Sequence, residues 1–486
     1  MRQVKSLTVV GGGTAGLISA LILKERSNID INLIYSSNIG IVGVGEGSTE
    51  HFSDFMSFIG IKPSEIIKEC DATFKIGVMF DNWIKDYKYL HSVLTPFSQP
   101  FGQYHGIYAK EISNNSNYLY NDSIEQNIIQ TGSINVDVNS PTNQYHFNTF
   151  KLNEFLKKIS IIKGINVIDD DILDINLDEY GYIDSIIGKK QNYKSDFYID
   201  ATGFKRLLMN KLDVKWISFK KYLKLNSAIT FPTGDEDNYN FWTLAKAMNS
   251  GWRFKIPTFG RHGNGYIYDN NFITIEEAKL EIENELGHEI EIGKTFNFDP
   301  GALESVWSKN CVAIGLSGCF FEPLEATSIG LSIQQSFLLM HRIANYDENV
   351  IKEYNKSFDS MIENIRDFIV LHYLTKRNDT DFWKNILNTE IPESLKNNLE
   401  KWKNKLPIKE DFKNNSDYCL FGPSNFIVVM SKLNLFDKES IKQEYMFLNN
   451  NLKNIANNTI DQMLYNEKNL KYINHKKMIE IIREIN

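Results

Sequence analysis

Chemistry is first legible in a run of glycines near the start of the chain. Gly11-Gly12-Gly13-Thr14-Ala15-Gly16 follows a short apolar segment and precedes a helical one. In that setting Gly11 permits a tight turn, Gly13 lets a pyrophosphate reach the backbone, and Gly16 lets helix and strand pack closely. Thr14 and Ala15 then sit at the positive end of the helix dipole with free N–H groups. The expected ligand is a dinucleotide. There is no second fingerprint for NAD(P)H, and Asp200-Ala201-Thr202-Gly203 has the D-x-x-G form with which FAD-binding Rossmann proteins meet their cofactor again, so the dinucleotide is expected to be FAD. One piece is missing. The acid that ordinarily ends the second strand and holds the ribose is replaced by Tyr35-Ser36-Ser37.

Four further segments hold residues of chemical interest, each with an ordinary reading. Val42-Gly43-Val44-Gly45-Glu46-Gly47-Ser48-Thr49 is a second glycine loop, too close to the first to be another Rossmann turn. Thr73-Phe74-Lys75-Ile76-Gly77-Val78 sets a lysine among apolar neighbours, where a snorkelling surface side chain is the default. Gly251-Trp252-Arg253-Phe254-Lys255-Ile256-Pro257 alternates like a strand with core aromatics. Glu325, in Pro323-Leu324-Glu325-Ala326-Thr327-Ser328, stands where an acid would cap a helix.

These residues need a scaffold, and the sequence sketches one. Ser6–Val10 reads as a buried strand, Thr14–Glu25 as a helix and Ile29–Tyr35 as a strand, a βαβ unit. Phe197–Gly203 reads as a later strand ending in a turn, and Leu225 to Phe298 as an inserted β-rich segment. Cys311–Leu316 reads as a short strand, Thr327 to about Ala344 as a helix, and the chain beyond 350 as mostly helical. The fold class is therefore α/β: an FAD-binding Rossmann-like core over 1–345 carrying an inserted sheet at about 225–298, and a helical substrate-binding region over 346–486.

Composition narrows the function classes. The 486 residues are 42% hydrophobic and 23% charged with a net charge of -8, a globular balance that disfavours a nucleic-acid partner. Aromatic side chains for lining pockets are plentiful, with 31 Phe and 23 Tyr. Cys70, Cys311, Cys319 and Cys419 are too widely spaced for a zinc site or disulfide framework, so no metal and a reducing cytoplasm are expected. Arg2 and Lys5 before the run Leu7–Leu23 imitate a signal peptide, but the glycines and Lys24-Glu25-Arg26 mark a soluble helix instead, and no membrane association is expected.

In order and spacing these segments together resemble the flavin-dependent tryptophan halogenase family, over residues 6 to about 385. The resemblance rests on Gly43–Glu46, Lys75 with Asp81-Asn82-Trp83 behind it, and Tyr145-His146-Phe147. It continues through Asp200–Phe204, the Trp252–Pro257 strand, Pro323–Thr327, and Arg377-Asn378-Asp379-Thr380 before Phe382-Trp383. It implies a flavoprotein oxidoreductase in which reduced FAD and O2 convert halide to hypohalous acid. A lysine matching Lys75 relays the halogen to an aromatic ring, assisted by Glu325. It implies cofactor contacts from Gly11, Gly13, Thr14, Ala15, Gly16, Gly43, Gly45, Glu46, Asp200, Gly203, Leu316 and Ile329. It further implies a halide site at Thr327 and Ser328, and a wall of Trp252, Phe254, Ile256 and Pro257 between flavin and substrate.

Aromatics of the 85–110 region (Tyr89, His91, Phe97, Tyr104, His105) are expected near the substrate, His91 and Phe97 foremost, and the substrate is expected to be indole- or phenol-like. A separate flavin reductase must supply FADH2, and a homo-oligomer is compatible with everything above. Three departures from the family pattern stand out: Phe254 for a second tryptophan, Ala326 for serine, and Ser328 for glycine. The last suggests a shift toward bromide or iodide. The competing reading is an FAD-dependent aromatic hydroxylase, which would need neither Lys75 nor a halide loop.

Overall fold

In the computed structural model the described residues are 1–41, 43, 46–92, 103–113, 133–134, 137–140, 143–412, 418–469 and 473–484, with side chains omitted at 103–104, 133–134 and 462–469. The strand Ser6–Val10 is buried on both faces from Leu7 onward and takes a central place in a six-stranded sheet. The sheet order is 166–169, 30–35, 6–10, 197–200, 311–313, 307–308, parallel except for its last, antiparallel edge. Helix Thr14–Arg26 packs between this sheet and helix Thr327–Met340, and an unbroken run from Gly16 to Leu23 is buried. A helix apolar all round belongs in a core, and Lys24 and Arg26 complement its C-terminal dipole. The core is the Rossmann-type α/β architecture that the glycine run predicts.

The second layer is a seven-stranded sheet in the order 294–297, 227–233, 261–268, 251–258, 242–247, 77–84, 87–92. It is wider than the 225–298 segment expected from sequence, because Trp242–Ala247 pairs in parallel with Gly77–Ile84 and so recruits a hairpin from far earlier in the chain. The short strands Glu46–Gly47, Gln144–Phe147 and Thr73–Lys75 form a separate antiparallel sheet. In it Thr73 and Gly47 flank His146, which brings the second glycine loop, the Tyr-His-Phe segment and the lysine strand side by side. Helix Glu348–His372, whose Asp347 side chain caps its first N–H groups, meets the edge strand 307–308 of the first sheet and brings Phe368 and His372 against His91 and Phe80 of the second. Helices then dominate from 381 onward, although Ile473–Asn474 forms a strand with 133–134.

Two further motif segments turn out to be structural. Arg377 donates to the carbonyl of Asn82 and to Asp379, and lies over Trp383. Trp83 meets Trp252, Tyr373 and Trp383. The four cysteines are all free thiols. Among the described residues no helix is long and apolar enough to cross a membrane, and no three acidic, histidine or cysteine side chains converge as metal ligands.

The first glycine loop is intolerant of added atoms. A Cβ on Gly16 would stand 2.0 Å from the Gly11 carbonyl oxygen, which is backbone and cannot move aside cheaply. Gly16→Ala is therefore expected to cost about 1–3 kcal/mol in urea unfolding and to lose bound FAD. An unchanged unfolding midpoint with full FAD retention would contradict this.

Candidate active site

The glycine loop is shaped for a ligand on one side only. Gly11 has φ +120 and a Cβ there would lie 2.1 Å from Ala201 O, so this corner must stay bare for the chain to turn against the 197–200 strand. At Gly13 an added Cβ would meet nothing within 4 Å, and no side chain caps the helix that begins behind it. Asn153 holds the loop by donating to Gly12 O at 2.8 Å. An open, uncapped helix start next to a tightly packed turn fits the pyrophosphate of FAD. Gly203, at φ +66, likewise has open space beside it.

Asp200 does something different from a direct cofactor contact. Fully buried, it accepts from Thr202 N and Oγ1 and from Leu208 N and Met209 N, so it fixes the turn that presents Gly203 and starts the short helix after it. At Tyr35, where an acid was missing, the ring carries Lys157 Nζ 3.7 Å from its centre.

Near the loop, where Gly315 closes on Ala15, lies a largely apolar cavity with a few polar groups in its lining, the character of a cofactor or ligand site. Gly43, Glu46 and Gly47 border it, as do Leu316, Ile329, Trp252, Phe254 and Ile256. Pro257 does not; its carbonyl instead accepts from Thr73 Oγ1. Gly45 and Phe97 lie outside the described residues. Glu46 is buried, and burial raises its carboxyl to about 7 against the opposing hydrogen bond from Thr149.

At the edge of this cavity the chain does something costly. Glu325 and Ala326 are both left-handed, with φ 65 and 56, before helix Thr327–Met340 begins. Two successive non-glycine residues in that region cost on the order of 1–3 kcal/mol each. The double turn prevents Glu325 from capping the helix, contrary to the ordinary reading of its position, and no side chain caps Thr327 or Ser328, which border the cavity. Glu325 instead points into the protein, 4% exposed, and accepts from His91 Nδ1 at 2.8 Å. His372 Nε2 approaches the same oxygen at 3.4 Å, its ring stacked on Phe80. Burial pushes Glu325 upward, but His91, His372 and Lys75 outweigh it and hold the carboxyl below its usual value. Burial also drives His372 down to about 3, so it is neutral.

Lys75 is no snorkelling side chain. It is 3% exposed and donates to Ser48 O at 2.7 Å. Burial lowers its pKa from 10.5 to about 8, with Glu325 and then Glu50 opposing the shift. The family's lysine and glutamate positions are thus electrostatically coupled in one buried region. His91 turns onto Glu325, with Nε2 3.1 Å from Asn425 Oδ1, so it anchors the carboxylate. His105 lies elsewhere, against Leu406 and near Lys405 and Asp411. Tyr89 stacks on Phe80.

Sequence reasoning missed His372, whose relation to Glu325 crosses 47 positions without any pattern. It also missed Glu322, which accepts from Trp252 Nε1 at 3.2 Å and from Tyr373 Oη at 2.8 Å and so fixes the wall tryptophan. A second acid in Glu322-Pro323-Leu324-Glu325 was the available signal.

Comparison with known proteins places this geometry. The sequence matches the family model described as tryptophan halogenase over residues 6–444. Tryptophan 6-halogenase SttH from Streptomyces toxytricini is 30% identical over 84% of this chain and 86% of its own. Tryptophan 7-halogenase RebH from Lentzea aerocolonigenes is 28% identical over 89% and 90%. A crystal structure of a tryptophan halogenase from Shewanella frigidimarina superposes with TM-score 0.89 at 25% identity, covering 99% of this chain and 98% of that one.

The direction of each influence on Lys75 fixes a test. In protein carrying ¹³Cε-lysine, one resonance that is absent from Lys75→Met should titrate near pH 8. Glu325→Gln removes the charge that holds the ammonium, so the midpoint should fall further. A midpoint near 10.5, or a rise in Glu325→Gln, would contradict the assignment.

Proposed function

The chain belongs to the tryptophan halogenase family, whose members are flavin-dependent halogenases, and from that premise we propose that it halogenates tryptophan or a related indole- or phenol-like ring through Lys75. The observation that carries this reading is the buried, coupled pair Lys75 and Glu325, the latter lining the same cavity as Trp252, Leu316 and Ile329. Reduced FAD bound there supplies two of the four electrons that O2 takes up, the halide giving the other two as it becomes hypohalous acid. Every other part of the work falls to this chain's residues.

Gly11, Gly13, Thr14, Ala15 and Gly16 would hold the pyrophosphate, and Glu46, Gly203, Leu316 and Ile329 would border the rest of the cofactor. Thr327 and Ser328 receive the halide at the uncapped helix start, where backbone N–H groups favour an anion. Trp252, locked by Glu322, forms with Phe254 and Ile256 the partition that keeps the ring from the flavin. Only a small molecule passes it.

At Lys75 the ammonium donates to the oxygen of hypohalous acid. The oxygen–halogen bond breaks with its electron pair staying on oxygen, which leaves as water with a proton from Lys75. A carbon–halogen bond forms, and the ring proton then returns to the lysine amine, so atoms and charge balance. While the ring is cationic, the carboxylate of Glu325 stabilises it from a site of low dielectric. The hydrogen bond from His91 keeps that carboxylate aimed, and the Lys75 ammonium favours its ionised form. Because the donor is the ammonium, transfer weakens as pH rises through about 8.

Supplied with a flavin reductase and NADH, the enzyme should convert tryptophan, indole or phenol to halogenated products seen by mass spectrometry. Lys75→Ala should lose that product by about a hundredfold or more while reduced flavin is still oxidised. Survival of halogenated product in Lys75→Ala would overturn the relay, and hydroxylated product from the parent enzyme would favour the hydroxylase reading. In the same assay Ser328 should give bromide or iodide the advantage. Equal or faster turnover with chloride would contradict that part.

A further inference from the structure

Gly47 leaves a gap at the place where the cavity meets Lys75. A Cβ there would lie 3.3 Å from Thr243 Oγ1, 3.4 Å from Lys75 Cδ and 3.6 Å from Ala326 Cβ, so these three groups surround one point that the glycine keeps empty. Gly47, Thr243 and Ala326 all line the cavity. The point touches the Lys75 side chain on one side and Ala326, next to Thr327, on another.

The hydroxyl of Thr243 is oriented by a chain of hydrogen bonds whose direction can be worked out. Thr73 Oγ1 donates its only hydrogen to the Pro257 carbonyl at 2.6 Å, because a carbonyl can only accept. Toward His146 Nδ1, 3.4 Å away, Thr73 therefore offers only lone pairs, and Nδ1 carries the ring hydrogen. His146 is fully buried, and burial, with Lys75, His475 and His262 after it, pushes it well below its usual value, so the ring is neutral and has one N–H. Nε2 is then an acceptor, and the Thr243 hydroxyl donates to it at 2.9 Å. With its hydrogen spent, Thr243 Oγ1 can only accept a hydrogen bond from whatever occupies the gap.

We propose that Thr243 is the residue that accepts the O–H of hypohalous acid as it reaches Lys75, with His146 as the positioning residue that keeps the threonine an acceptor. The inference rests on the lysine-relay reading. Hypohalous acid has one hydrogen and one electrophilic halogen. An acceptor for the hydrogen on one side and an ammonium donor to the oxygen on the other hold the molecule with its halogen free to reach the ring. No bond is made or broken at Thr243 itself, which lets the hydrogen stay on the oxygen that leaves as water.

The test is the share of oxidising equivalents that reach the ring. With bromide, a flavin reductase and whichever of tryptophan, indole and phenol the parent enzyme brominates, brominated product per O2 consumed is measured beside monochlorodimedone, which traps escaped hypobromous acid. Thr243→Val, isosteric but without a hydroxyl, should lower the product share about fivefold and move the difference into the trap, whereas Thr243→Ser should stay within about twofold of the parent. Thr243→Ala carries the same arm should the valine variant not fold. Parent-like coupling in the variant lacking the hydroxyl, or an equal loss in Thr243→Ser, would overturn the proposal. Lys75→Ala in the same assay separates the two readings. Product surviving there sinks the lysine relay, while product lost there with coupling intact in Thr243→Val sinks only the role of Thr243.

Discussion

Burying an ammonium and a carboxylate in one region of a protein is expensive, and most of the architecture around this site follows from that cost. Lys75 and Glu325 are each nearly inaccessible to water. Such a pair persists only when the remaining hydrogen-bonding capacity is met. Ser48 O meets Lys75 and His91 meets Glu325, and both arrangements require distant parts of the chain to converge. The small sheet that joins residues 46–47, 73–75 and 144–147 supplies the first. The hairpin strand Tyr87–Ser92 and the end of helix Glu348–His372 supply the second.

The same constraint explains the backbone strain at Glu325 and Ala326. A helix start with ordinary geometry would leave the acid near the helix axis, as a cap. Two left-handed residues swing it inward and leave the helix start uncapped beside the cavity. One distortion therefore yields both a buried carboxylate and a helix end that no side chain caps. The neighbouring acid Glu322, raised to about 7 by burial, works on the opposite wall by tying Trp252 to Tyr373. Four residues of chain thus set both the partition and the charge behind it.

Much of this was readable from the sequence where local geometry decides. A glycine spacing between strand and helix has few physical uses, and Gly11, Gly13 and Gly16 each meet the steric demand expected of them. The alternation of Trp252 and Phe254 identified a strand correctly. Long-range pairing was not readable. Nothing in Gly77–Ile84 announces a parallel partner at 242–247, so the second sheet came out wider than the segment foreseen. Residue type alone also misled at single positions. For His91, expected near substrate as one of several aromatic rings, residue type gave no sign that a ring nitrogen is committed to Glu325. Asp200 was read as a cofactor contact, whereas its oxygens are occupied by the backbone it braces. A local window can show that a residue is chemically able, but not which partner its burial will demand.

The central claim is spatial: the flavin and the lysine lie on opposite sides of the Trp252 partition, with only a small oxidant passing between them. A crystal structure with FAD and bromide bound tests it most directly, the bromide being located by its anomalous scattering. The account predicts the flavin ring system beside Leu316 and Ile329, bromide at the start of helix Thr327–Met340, and Lys75 Nζ beyond Trp252 and out of contact with the flavin. A flavin ring packed directly against Lys75, or bromide bound on the lysine side of the partition, would contradict it.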